Sequence, residues 1–158
     1  ANIVSAQWGK LLMNLNNALN ALSGLTIQRQ LADRQWRRLM ADQLAEALAV
    51  LRLAQIPVQS TTPLPAWVTP WILRLPTPVF RRIAAQMLTI DPTARTSMAY
   101  DLEAGRRTEI DSLQGEIITL GRKYSCPTPI CIRVADRVKS LSAAGDRHPR
   151  LSVDQVRG

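Results

Sequence analysis

The sequence predicts an all-α domain, and three observations support this fold class. Leucine, alanine and arginine are the most frequent residues, glycine occurs only seven times, and the apolar/polar alternation typical of strands is scarce. Hydrophobic residues make up 46% of the 158 positions, which is enough to bury a core without disulfide or metal support. We therefore expect one domain of about five to seven helices over residues 1–145, followed by a polar C-terminal tail, 146–158.

Two long helices are predicted in the first third of the chain. Leucine recurs at nearly every third or fourth position of "WGKLLMNLNNALNALSG", residues 8–24, which is the spacing of a helix with one apolar face. We place this helix at 3–22 and its end at Gly24, because glycine readily takes the left-handed conformation that closes a helix. A second leucine stripe predicts a helix over 28–54, which Pro57 ends.

A proline-rich connector follows inside the same domain. Residues 57–78 hold six of the ten prolines together with Trp67 and Trp71, and a short helix is expected near 71–75. The segment is too hydrophobic to be a disordered linker. Its tryptophans could form a homodimer interface, although the spacing does not decide the oligomeric state.

Three shorter helices follow the connector, besides the one that begins at Thr108. We expect helices over 79–88 and 98–104, the first broken at "DPTARTS" and the second closed by Gly105, and a last helix over 130–141. The tail that follows is expected to be loosely held.

The motif "TEID" predicts a helix start between these elements. Thr108 would cap the helix and Asp111 would bond back to its first turn, as in a capping box. The apolar residues that follow have the spacing of a buried stripe: Ile110, Leu113, Ile117 and Leu120.

Charge and cysteine content exclude several classes of function. The net charge of +8 comes mainly from arginines scattered singly or in pairs, with few aromatic residues nearby, so we expect no nucleic-acid partner. Cys126, Cys131 and the lone His148 cannot complete a zinc site, which predicts two reduced thiols and no metal. No apolar run is long enough for a membrane span and no signal-peptide pattern opens the chain, so the expectation is a cytoplasmic protein without a membrane partner.

The first helix carries a polar face opposite its leucines. With an advance of about 100° per residue, Asn14 and Asn17 lie beside Lys10, while the leucines occupy the other side. Asparagine is a poor helix former, so a lysine with asparagines is an unusual choice for a merely solvated face. An ammonium and carboxamides suit a small oxygen-rich ligand. A solvent-facing or interdomain face without a ligand is the alternative.

Three motifs in order resemble the ketopantoate reductase (2-dehydropantoate 2-reductase) family, specifically its C-terminal domain, whose fold is like that of the 6-phosphogluconate dehydrogenase C-terminal domain. They are "KLLMN" in a first helix, "SM..DL" about ninety residues later, and "TEID.L.G" with its glutamate twelve residues after that serine, followed by "G......TP". The resemblance implies an enzyme that reduces the ketone of ketopantoate to pantoate with NADPH, a step towards pantothenate and coenzyme A. It also implies an N-terminal Rossmann domain that binds most of the cofactor.

The resemblance assigns roles to four residues of this chain. Lys10 corresponds to the catalytic lysine, Asn14 to a substrate-binding asparagine, Ser97 to a serine that contacts the substrate, and Glu109 to a glutamate near the cofactor. Chemically, Lys10 could bond the ketone oxygen and donate a proton to it as hydride arrives. Asn14 and Ser97 could orient the substrate's hydroxyl and carboxylate.

Simpler interpretations exist for the acidic and hydroxyl residues. Ser97 before a short helix could be only an N-cap, and Glu109 only an acid favoured by the dipole of a helix's first turn. Asp101 and Asp111 are expected to be structural.

The sequence departs from the family pattern at two points. Many members carry a second asparagine eight residues after the lysine, where this chain has Ala18; Asn17 could substitute, or the 2-keto acid could differ. No GxGxxG motif is present, so the Rossmann domain is absent from this chain and we expect the chain alone neither to bind NADPH tightly nor to turn over substrate. The competing hypotheses are a reductase of another 2-keto acid and a helical dimerisation or binding module without chemistry.

Overall fold

The computed structural model describes residues 2–87 and 89–158, and within these ranges every regular element is helical. The all-α prediction is confirmed. Short 3₁₀ segments at Ala66–Val68 and Ile110–Ser112 interrupt a series of ten α-helices within the same ranges: α1 (Ile3–Asn14), α2 (Asn16–Ser23), α3 (Ile27–Ala32), α4 (Arg34–Leu53), α5 (Thr69–Leu73), α6 (Thr77–Met87), α7 (Ser97–Glu103), α8 (Gln114–Lys123), α9 (Pro129–Ala144) and α10 (Val153–Arg157).

The core surrounds α2, which packs against α7 and α9, while α4 contacts both α8 and α9. The predicted leucine face of the opening helix is confirmed, because Leu15, Leu19 and Leu22 are almost completely buried. Burying such side chains stabilises the fold by roughly 1.5–3 kcal/mol each. No helix in the described part of the chain is long and apolar enough to cross a bilayer.

The predicted helix 3–22 is divided at Leu15 into α1 and α2. The Leu15 backbone stays in the right-handed helical region, but its carbonyl accepts bonds from the side-chain amides of Gln43 (3.2 Å) and Gln114 (2.9 Å). Two buried amide donors thus satisfy this carbonyl where the regular helical bonding is interrupted.

The predicted helix 28–54 is divided as well, at Asp33. Its backbone is extended, and its carboxylate accepts a bond from the N–H of Gln35 at 2.8 Å, which caps α4. Aspartate favours this capping position because its side chain satisfies a free N–H of the first turn. The aspartate inside the leucine stripe was therefore a stop signal.

The buried guanidinium of Arg37 fastens the end of the connector to α4. It donates to the carbonyls of Leu73 (3.2 Å) and Leu75 (3.0 Å) and to that of Leu31 (2.7 Å). It also stacks on the ring of Phe80, 4.3 Å from the centroid. Carbonyl dipoles and the ring face therefore surround this buried cation.

The capping box predicted at Thr108 is wrong. The chain is irregular there, forms the 3₁₀ segment Ile110–Ser112, and begins α8 only at Gln114, after Leu113 leaves the helical region (φ −109°, ψ −89°). The apolar stripe is nevertheless confirmed: Ile110, Leu113 and Ile117 are buried, and Leu120 packs on the core.

The expectation of a loosely held tail is also wrong. Val153 and Val156 of α10 are buried in the main core, and Arg157 pairs with Asp42 of α4 at 2.7 Å. The N–H of Leu151 donates to the carbonyl of Leu22 at 2.9 Å. The polar composition of the tail concealed its two apolar anchors.

The remaining boundaries differ only slightly from the prediction. The short connector helix α5 begins two residues early, α7 and α9 run close to their predicted ranges, and Gly24 closes α2 in the left-handed region (φ 66°). The end predicted for the third helix, Leu88, lies outside the described residues.

Candidate functional site

The polar face of α1 is open, as predicted. Lys10 is exposed and Asn14 is half-buried one helical turn further on, while Leu12 behind them is buried. Neither polar side chain bonds to another of the residues that the structure describes, so both remain available to a ligand. The placement fits a site but does not by itself assign one.

Close packing against the connector fixes the position of α1. The connector's Gln59 donates its N–H to the carbonyl of Ser5 at 3.0 Å. A Cβ atom at Gly9 would lie only 1.9 Å from the carbonyl oxygen of Gln59, so glycine is required for this approach. Gly9 directly precedes Lys10, so this contact fixes the position of the Lys10 backbone relative to the connector.

A buried amide joins α2 to the start of α7. The side chain of Asn20 is fully buried, donates to the carbonyl of Leu25 (3.0 Å) and to Oε1 of Gln30 (3.1 Å), and accepts from the N–H of Thr96 (3.0 Å). The amide nitrogen of Asn20 thus makes two bonds and its oxygen accepts one, so both ends of the amide are bonded within the domain. Asn20 therefore has a structural role that its residue type alone did not reveal.

Ser97 begins α7 beside the first turn of α2. The residue before it, Thr96, is the N-cap, and the Thr96 hydroxyl donates to the carbonyl of Asn17 at 3.0 Å. The interpretation of Ser97 as only an N-cap is therefore wrong. Its side chain is exposed, and the bond from Thr96 places the backbone at the start of α7 next to that of Asn17.

Asn16, at the start of α2, also has a structural role. Asn16 exchanges two bonds with the side chain of Gln30, donating at 3.3 Å and accepting at 2.9 Å. Gln30 is fully buried and links Asn16 to Asn20. Thr96, Asn20 and Gln30 were missed by the sequence analysis, because their bonds join positions that are distant along the chain and helical spacing gives no signal for them.

The departure at position 18 has a clear structural setting. Ala18 is fully buried in the core, whereas Asn17 is half-buried and its side chain bonds to none of the described residues. An amide at position 18 would be enclosed by the domain itself. Of these two positions, only position 17 carries a side chain that the domain leaves partly exposed.

Glu109 is placed differently from its simplest interpretation. It precedes the 3₁₀ segment Ile110–Ser112 and makes no capping bond, so it does not lie in the first turn of an α-helix. Its side chain is exposed. Asp101 and Asp111 pair with Arg106 (2.9 Å) and Lys139 (2.7 Å), as expected of structural acids.

The thiols and metal-binding side chains do not form a second centre. Cys126 and Cys131 are free thiols. Burial raises the pKa of the Cys131 thiol, and the nearby charge of Glu46 raises it further. Glu46 accepts bonds from the N–H groups of Ile130 (2.8 Å) and Cys131 (3.0 Å) at the start of α9. Across residues 2–87 and 89–158, no three ligating side chains are grouped as a metal would require.

Comparison with known proteins gives consistent results. The family model "Ketopantoate reductase PanE/ApbA C terminal" matches residues 2–142. A 2-dehydropantoate 2-reductase of Mesorhizobium japonicum is 32% identical over 142 residues, which cover 89% of this chain and 38% of the relative.

Two solved structures share the fold. A PanE/ApbA family ketopantoate reductase of Ralstonia eutropha JMP134 matches 91% of this chain and 43% of its own, with a TM-score of 0.70 and 28% identity. A dimeric ketopantoate reductase of Staphylococcus aureus matches 92% of this chain and 45% of its own, with a TM-score of 0.65 and 22% identity, which shows the fold alone. The chain thus spans only 38–45% of the length of these proteins.

Proposed function

Because this chain belongs to the ketopantoate reductase family, as its C-terminal domain, we propose that it binds the substrate and supplies the catalytic lysine of an NADPH-dependent 2-dehydropantoate 2-reductase. The enzyme would convert ketopantoate to pantoate in the cytoplasm, on the route to pantothenate and coenzyme A. The observation that carries this proposal is the open polar face of α1, on which Lys10 and Asn14 stand one turn apart with no competing bond to the described residues.

Lys10 is the proposed general acid. Reduction of a ketone leaves negative charge on its oxygen, and an ammonium both stabilises that charge and donates the proton that completes the alcohol. An exposed lysine on a helix held by close backbone contact can meet a substrate from outside the domain. Lysine would therefore act on the oxygen while the hydride reaches the carbon.

Asn14, Asn17 and Ser97 are the proposed substrate-binding residues. Each offers neutral hydrogen-bonding groups, which fix the orientation of a hydroxyl or carboxylate without adding charge. The bond between the Thr96 hydroxyl and the Asn17 carbonyl supports the pairing of Asn17 with Ser97. In this arrangement Asn17 takes the part that the family gives to position 18.

NADPH supplies the hydride when it is bound. The chain has no glycine-rich phosphate-binding turn, so its residues fit only the reacting end of the cofactor, where exposed Glu109 would accept a hydrogen bond. Most of the binding would come from a Rossmann domain, and calorimetric titration of the 158-residue chain with NADPH should detect no tight binding. Tight binding would contradict this division of roles.

The decisive experiment compares Lys10→Ala with Lys123→Ala in the full-length enzyme. Removal of a proton donor should lower kcat about 10²–10⁴-fold, whereas Lys123 is an exposed lysine at the end of α8 and should be silent. Circular dichroism verifies that both variants fold. Unchanged activity in Lys10→Ala would favour a helical binding or dimerisation module.

The identity of the keto acid is tested separately. Full-length turnover should be highest with ketopantoate, and Asn17→Ala should raise KM for it more than Gln35→Ala, a change of an exposed residue of α4. A higher kcat/KM for a smaller 2-keto acid would assign the enzyme to a different substrate on the same fold.

A homodimer is proposed on the evidence of the connector. Trp67 and Trp71 are 67% and 69% exposed, which is unusual for large aromatic side chains, and the S. aureus relative is dimeric. Sedimentation should give a dimer that Trp67→Ser and Trp71→Ser together weaken. A dimer unaffected by both changes would place the interface elsewhere.

A further inference from the structure

A largely apolar cavity lies on a different side of the opening helices from Lys10. Its volume is about 270 Å³, it is partly open to solvent, and it is lined by residues of α1 to α6, the connector and the segment that follows α6. Lys10, Asn14, Asn17, Ser97 and Glu109 are not among its lining residues. The cavity is therefore separate from the proposed catalytic face.

The lining determines what the cavity can hold. Most of the wall is aliphatic or aromatic, and its two amides are already engaged: Asn16 bonds to Gln30, and Gln43 bonds to the carbonyl of Leu15. The other polar groups in the wall are the hydroxyls of Thr69 and of Thr62, which donates to the carbonyl of Leu64. The cavity therefore offers mainly dispersion contacts.

An apolar space of this size favours a bound apolar group. Apolar side chains around an empty space lose contacts that a close-packed interior normally provides. In another protein an engineered apolar cavity of about 150 Å³ stays dry and binds benzene. The present cavity is larger, so it can accept a longer apolar group.

A cationic cleft adjoins the cavity. The cleft and the cavity share Leu31, Phe80, Ala84 and Ile90 as lining residues. Two exposed arginines, one from α3 and one from α6, also line the cleft: Arg29 and Arg81. In the described part of the chain no carboxylate lines either space.

We propose that these adjoining spaces bind a small amphipathic carboxylate, with its alkyl chain in the cavity and its anionic group at Arg29 and Arg81. The apolar wall favours the alkyl chain of the ligand, and the two arginines supply the positive charge that complements its carboxylate. This site would operate independently of the reductase chemistry, since it uses none of the residues proposed for catalysis.

Isothermal titration of the 158-residue chain with octanoate, 1-octanol and octylamine tests the proposal. We expect one saturable site, with octanoate binding most tightly, octanol more weakly and octylamine most weakly. Arg29→Gln combined with Arg81→Gln should reduce octanoate affinity several-fold and leave octanol affinity unchanged. The matched control combines Arg38→Gln with Arg82→Gln, two exposed arginines of α4 and α6 that line neither space.

A cavity-filling change separates the apolar contribution. Ala84→Trp should abolish binding of both octanoate and octanol, and if this variant does not fold, nuclear Overhauser contacts from octanoate to the methyls of Ile83 and Leu31 replace it. Equal affinity for octanoate and octylamine, binding that survives in folded Ala84→Trp, or absence of those contacts would overturn the proposal. So would a dimer whose formation excludes octanoate, because a second copy would then fill the space.

Discussion

Replacing Asn20 by alanine should loosen the junction between α2 and α7 and thereby weaken substrate binding. The Asn20 amide is fully buried and makes three bonds, to the carbonyl of Leu25, to Oε1 of Gln30 and from the N–H of Thr96. Alanine removes all three. It leaves the buried Thr96 N–H facing a space without an acceptor.

The expected loss can be divided among the three partners. The Thr96 N–H contributes most, because an unsatisfied buried donor costs about 1–3 kcal/mol. Oε1 of Gln30 keeps a bond from Asn16 at 3.3 Å, and the half-buried Leu25 can be reached by water, so these two together contribute about 1 kcal/mol. We expect the free energy of unfolding to fall by about 3 kcal/mol in Asn20→Ala, and by about 1 kcal/mol in Thr96→Val, which loses only the bond to Asn17.

Two assays measure the consequence. Urea unfolding followed by circular dichroism gives the free energies, and steady-state kinetics of the full-length enzyme gives KM and kcat. Because Ser97 directly follows Thr96, Asn20→Ala should raise KM for the keto acid several-fold, while kcat should change less because Lys10 stands on α1.

A double-variant cycle connects the effect to Ser97. In a Ser97→Ala background, Asn20→Ala should no longer raise KM, since the group that it positions is already absent. Equal KM increases in both backgrounds would refute the positioning argument. An unchanged free energy of unfolding would refute the energetic argument, and a Ser97→Ala enzyme with normal KM would instead remove Ser97 from the proposed site.

Three further predictions concern the folded domain. Ala18→Asn should not restore a family-like site. It should lower the free energy of unfolding in urea by about 2–4 kcal/mol, because it adds volume and an unpaired amide at a fully buried position. Normal stability together with a lower KM would contradict this prediction. Arg37→Met should cost about 3–5 kcal/mol because it leaves two connector carbonyls, those of Leu73 and Leu75, without their partner. Exposed Arg38→Met should cost less than about 0.5 kcal/mol, and similar thermal stability of the two variants would contradict the clamp. Burial raises the pKa of Glu46 although two backbone N–H groups donate to its carboxylate, so the folded state binds more protons than the unfolded state between the ordinary pKa of 4.5 and the raised pKa. The contribution of Glu46 to stability is therefore present below pH 4.5 and is lost as the pH rises through the folded pKa. Glu46→Gln should remove this slope from unfolding free energies measured against pH.

Periodicity predicted the helical class and the buried leucine face because both depend on local spacing. The same periodicity could not detect the break at Leu15, since that break coincides with bonds from Gln43 and Gln114, which are distant in sequence. The break at Asp33 was detectable, because aspartate is a strong capping residue. Long-range polar contacts are the part of the fold that the sequence pattern leaves undetermined.

The proposed site was predicted in the same uneven way. Lys10 and Asn14 could be assigned to one face by helical spacing, and the exposed position of Lys10 agrees with it. The position of Ser97 beside α2 depends on Thr96, whose bonds cross almost eighty positions of the chain and leave no local signal. Family motifs could name Ser97, but only the packing of α7 against α2 explains how it comes to lie there.

The asparagines of the opening helices illustrate why residue type alone does not define a site. Asn16 and Asn20 are committed to Gln30 and Thr96 inside the domain, whereas Asn14 and Asn17 have no such partners among the described residues. An amide is equally able to bond a neighbouring helix or a bound acid, so its surroundings decide between these roles. The committed pair stabilises α2 against α7, and this rigidity would let the uncommitted pair hold a substrate in a fixed orientation. The cost of placing poor helix formers in α1 and α2 is thus offset by the internal clamp, and, in the proposed function, by an outward face that binds the substrate.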